Sequence, residues 1–287
     1  MLYLEKESTV YEFHDAYQDH TSRARLVAAN GGSLSKKWLQ IDANYDAYKY
    51  RQVSYVHDLT QAVINGEPES RLNDLHTLAI ATAVGSQQGT HTWQVAGTAE
   101  SLIDQQVKQQ VTAALVQEYN KTSAENFKAV GAHLGLNLQQ FRALAEQIDP
   151  DADPSTLVGK PMEIQTAWMK AGDLVAEIEA GFNAFRAAAA LEGRVLTTLD
   201  QCVGLVCPTT GTGAERRALW EAWDSKGRGG KWSALLKAGI EVKPISSVRE
   251  YKAYARPTEV NKTERVNGGW RQTWVDSEDA EIQIVKW

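Results

Sequence analysis

The sequence predicts a mainly α protein: a helical body followed by a small β-rich C-terminal part. Three observations carry this. Residues 98–119 place Ile103, Val107, Val111, Leu115 and Tyr119 at four-residue steps, the apolar stripe of an amphipathic helix. Residues 162–191 are rich in Ala and Glu, lack proline and are closed by Gly193. From Ile240 onward β-branched and aromatic residues punctuated by glycine replace the alanine-rich pattern.

In chain order, Leu2, Leu4, Val10 and Tyr11 among acids suggest one or two short strands, and a helix follows over 15–29 until Gly31-Gly32. From Ser35, the residues Trp38, Ile41, Tyr45, Tyr48, Val56, Leu59 and Val63 recur at three- and four-residue steps, interrupted at Gln52. They predict one helix that ends at Asn65-Gly66 and Pro68. A further helix over 71–84 turns Leu72, Leu75, Ala79 and Ala83 inward, and Gly85 stops it. Thr98 is a cap for the central helix, Ser123 for a second and Asn137 for a third, with Gly135 as the left-handed residue between the last two. The 162–191 helix carries the stripe Ile164, Trp168, Leu174, Ile178, Phe182 and Phe185. Helices over 195–206, 214–223 and 231–237 follow, and Asn267-Gly268 suits a hairpin turn before a last strand at 281–287. The expected parts are 1–97, 98–239 and 240–287.

Composition narrows the function. The chain has 287 residues, 43% of them hydrophobic, enough for one large domain or two modest ones. Its net charge of -6 means that nucleic acid could be held only by a local basic patch. Two cysteines, Cys202 and Cys207, are too few for a disulfide scaffold and read as buried reduced thiols. The opening residues carry acids where a secretory leader needs an apolar core, and no run is apolar enough to span a bilayer. A cytoplasmic protein without membrane partners is therefore expected. Thr209-Thr210-Gly211-Thr212-Gly213 lacks the lysine and spacing of a phosphate-binding loop. No cofactor is called for.

Two stretches point to binding. Residues 127–146 resemble a helix-turn-helix: Gly131 lies one turn before Gly135, Asn137 caps a second helix, and Phe141 locks it onto the first. Gln139 and Gln140 would then meet base edges and Arg142 a phosphate. Residues 214–272 hold more Lys and Arg than Asp and Glu, although the whole chain is acidic. Arg216, Arg217, Lys226, Arg228 and Lys231 surround Trp220 and Trp223 there. Bases with aromatics suit phosphate contact and base stacking, and equally a protein interface. They also suit a core of tryptophans with a solvated basic rim.

A third pattern points to catalysis. His20, then His57-Asp58, then Asp104 occur in an order that resembles the HD family of metal-dependent phosphohydrolases, although Leu59-Thr60 stands where the family has an apolar residue and a glycine. The resemblance implies a metal held by those four residues that activates water. The leading expectation is a non-catalytic binding protein that acts through a basic, tryptophan-bearing surface on nucleic acid or protein subunits, with self-assembly compatible with either. A structural subunit of a larger assembly and the HD-like enzyme are the alternatives.

Overall fold

The computed structural model describes residues 15–50, 54–85, 99–194, 196, 198–207, 213–253, 259–266 and 269–276; at 99, 100, 213, 214 and the last two segments only the backbone is described. The chain divides into two units, Met1–Ser22 with Leu34–Lys121, and Arg23–Ser33 with Thr122–Trp287.

The helix α1 (Ala16–Ala29) starts in the first unit, where the Asp15 carboxylate accepts from the backbone N–H groups of Tyr17 and Gln18, and its residues from Arg23 on belong to the second. The single helix expected over 35–65 is two, α2 (Lys36–Lys49) and α3 (Tyr55–Ile64), each with its own serine cap. Ser35 Oγ accepts from Trp38 N and Ser54 Oγ from His57 N. Two local caps outweigh a shared periodicity, and Val56 and Val63 are exposed rather than inward. α4 (Glu69–Gly85) packs against α3, and α5 (Ala99–Asn120) against α2. Trp38, Tyr45, Leu115 and Tyr119 are buried there. Tyr17 donates to Asp42 at 2.6 Å, and Tyr48 to Asp104 at 2.5 Å.

In the second unit, α6 (Ser123–Ala145) and α7 (Met162–Leu191) form the main packed pair. Phe127 stacks on Phe185 with ring centroids 4.5 Å apart, and Gly181 faces Leu134. These pairings run in opposite senses along the two helices. α8 (Val203–Val206), α9 (Gly213–Trp223) and α10 (Gly230–Lys237) follow. Several helix ends obey one rule. After α1, α3, α7 and α10, Gly31, Gly66, Gly193 and Gly239 adopt positive φ. The next residue's N–H returns to a carbonyl inside the last turn, as from Ile240 to Leu235 at 3.0 Å.

Two further expectations are corrected. The helix-turn-helix over 127–146 is absent, because α6 runs unbroken through Gly135 and Asn137. Phe127, Val130, Leu134, Leu138 and Phe141 line one buried face across the supposed turn. A mid-helix glycine costs about 1 kcal/mol, less than the roughly 1.5–3 kcal/mol that burial of each large apolar side chain contributes. The second correction is at 240: no β-rich part starts there. Val242, Ile245 and Val248 are buried, and the N–H groups of Lys243 and Ile245 donate to Val206 and Leu205 in α8. This segment is irregular and belongs to the helical unit. Among the described residues the strands are β1 (Glu259–Val266) and β2 (Gly269–Asp276), antiparallel with Glu259 opposite Asp276. The expected cap Thr98, the strands before residue 15 and at 281–287, and the turn Asn267-Gly268 lie outside the described residues.

Candidate binding grooves

Every nucleic-acid or partner residue singled out in the sequence lies in the second unit. Gln139, Gln140 and Arg142 are exposed on the last turns of α6. They sit on a continuous helix and not on a recognition helix set off by a turn. Trp220 and Trp223 are only 5% and 7% exposed, so the tryptophans do not form a surface. Trp223, Trp232 and Phe182 meet edge to face, at centroid distances of 5.7 Å from Phe182 to Trp223 and 6.2 Å between the two indoles. Aromatic rings of this size bury more area than any other side chain, so a helix core draws them inward.

The cations around them are engaged. Lys231 pairs with Glu179 at 2.8 Å and lies about 5 Å from the ring centres of Phe182, Trp223 and Trp232. The Arg228 guanidinium lies 3.5 Å over the Trp168 ring and donates to the carbonyls of Pro150 and Trp168. Lys226 and Arg217 are exposed, and Arg216 is half-buried.

The loop after α6 organises the site. Asp151 accepts from the Gly229 N–H at 2.6 Å and from Lys237 Nζ at 2.9 Å, and Asp149 holds the same ammonium at 2.7 Å. Burial pushes the Asp151 carboxyl up, but the Lys237 ammonium and the Gly229 N–H outweigh it and hold it below the ordinary range. Above this cluster opens a groove of about 720 Å³. Its walls include Arg142 and Ala145 from α6 with Glu146 just after it, Leu236 and Lys237 from α10, and Ile240 and Glu241 beyond. A second groove of about 310 Å³ shares Gly239, Ile240 and Glu241 and is bounded by Glu215, Arg216 and Leu219 of α9. Arg142 and Arg216, distant in sequence, thus border two grooves with one common wall.

Sequence reading missed Asp149, Asp151, Lys237 and Ile240. The aspartates read as an acidic, solvated loop after a helix, Lys237 as one base among those of 214–272, and Ile240 as the start of a change in composition.

The metal site is not assembled. His20 is buried in α1, where its Nε2 accepts from the Trp38 indole at 3.5 Å and its ring meets Tyr119 edge-on. His57 and Asp58 are exposed in the first turn of α3. Asp104 sits on α5 and accepts from Tyr48. An aromatic-lined histidine, a helix-cap turn and a tyrosine-bound carboxylate serve three separate structural needs. Among the described residues no cluster of three His, Cys, Asp or Glu side chains could hold a metal ion. Cys202 and Cys207 are buried free thiols, and burial pushes the Cys207 thiol up to about 12. No described helix is long and apolar enough to cross a membrane.

No protein-family model, no curated protein and no solved structure matches this chain.

Proposed function

We propose that this chain is a non-catalytic binding protein whose partner is another protein, engaged at the two grooves that meet at Gly239, Ile240 and Glu241. One observation carries the reading. Within the basic segment Lys231, Arg228 and Lys237 are spent on the protein's own carboxylates, carbonyls and rings. The grooves beside them are mixed in charge, with apolar positions at Ala145, Leu219, Leu236 and Ile240. A phosphate backbone needs several free cations in a row, whereas apolar walls with a mixed charged rim suit a protein partner.

The test is selection of a random-peptide display library on the purified chain. Enriched sequences should bind the parent and lose affinity for Ile240→Asp by roughly 30-fold, the size of a hot-spot loss. Enriched sequences that bind Ile240→Asp as well as the parent would remove the grooves as the site. Salt-steep binding of a duplex DNA, weakened by Lys226→Ala and Arg217→Ala, would favour nucleic acid instead.

A further inference from the structure

We infer that the larger groove takes a basic, apolar-anchored segment of the partner protein. This rests on the groove reading above and adds the chemistry of the occupant. Lining the groove or bound directly to its lining are two cations, Arg142 and Lys237, against four carboxylates, Glu146, Asp149, Asp151 and Glu241. Lys237 is already shared between Asp149 and Asp151 and cannot answer the other acids. Among the described residues neither Glu146 nor Glu241 has an ion pair, which leaves both rim carboxylates open to a visitor.

The backbone adds the same sign. α6 ends at Ala145 and α10 at Lys237, so two helix C-termini, with their partial negative charge, border the groove. Between the charged groups, Ala145, Leu236 and Ile240 are half-buried and form an apolar floor. An acid rim over an apolar floor complements a segment that alternates Leu- or Ile-like side chains with Lys or Arg. The groove is the size of a small-molecule pocket, yet it adjoins the second groove along Gly239, Ile240 and Glu241. That continuity favours an extended chain over a compact ligand.

Two fluorescein-labelled peptides, one alternating leucine with arginine and one alternating leucine with glutamate, test this by anisotropy on the full chain. The basic peptide should bind at least about tenfold more tightly than the acidic one. Glu146→Gln with Glu241→Gln should weaken it by about 5- to 10-fold, and Arg142→Gln should tighten it. All three positions are exposed, and melting curves verify that the variants stay folded. Equal binding of the two peptides, binding of neither, or full affinity in the double variant overturns the basic-segment inference. If Ile240→Asp still abolishes library-selected binding in those cases, the groove reading survives its refinement. If Ile240→Asp changes neither, both fall.

Discussion

Trp232 donates its indole N–H to Glu179 at 2.8 Å, and the same carboxylate pairs with Lys231, the next residue back on α10. One acid on α7 therefore satisfies a buried indole and holds an ammonium against three aromatic rings. This explains how a lysine can sit at 15% side-chain exposure in a helical core.

Glu179→Ala is expected to leave that indole N–H and ammonium without their acceptor. The loss should be about 1–3 kcal/mol of stability by urea denaturation, against near zero for the exposed Glu177→Ala. Trp223→Ala should cost about 3–5 kcal/mol, as for a buried ring. A Trp223→Ala chain that melts like the parent would return this residue to the surface.

Gly204 shows where backbone rather than side chain sets the packing. A Cβ there would lie 2.0 Å from the Lys252 carbonyl oxygen. Gly204→Ala must push the 251–253 segment off α8, so its melting temperature should drop by several degrees, for about 1–3 kcal/mol of overpacking. Gly135→Ala is the control. A Cβ there meets nothing within 4 Å, and in mid-helix it should stabilise the protein by up to about 1 kcal/mol.

Asp151 gives stability a pH dependence with a definite sign. Its folded carboxyl titrates below the unfolded value of about 4, so its contribution is complete above that pH. The contribution is lost as pH falls through the lower folded value, when Lys237 loses part of its counter-charge and Gly229 its ionised acceptor. Melting temperature measured from neutral pH downward should begin to fall near pH 4 and below. Asp151→Asn should start lower at neutral pH and fall less. Parallel curves for parent and variant across that window would show that Asp151 does not carry the effect.

Much of the helical outline was legible because its determinants are local. Ser35 caps by bonding within three residues, and Gly31, Gly66 and Gly193 close their helices by backbone bonds within six. The long 162–191 helix needed only its unbroken apolar stripe and the glycine behind it. The grooves were not legible, because Arg142 and Lys237 in one and Arg216 in the other come to border the shared wall of Gly239, Ile240 and Glu241 only when the helices pack. Charge counting over 214–272 found a basic segment but could not see that Lys231 and Lys237 answer acids far away in the chain, Glu179, Asp149 and Asp151.

The sequence alone therefore determined the mainly helical class and most helix ends, since caps and stops act over one turn and need no partner. The tertiary structure alone decided three things. It carried α6 through Gly135, because burial of Leu134, Leu138 and Phe141 outweighs one glycine. It put Trp220 and Trp223 inside rather than on a surface, because a large apolar ring gains most from burial, Trp223 against Phe182 and Trp232. It kept His20, His57, Asp58 and Asp104 in separate settings, because the order of residues along a chain carries no distance until the helices have packed.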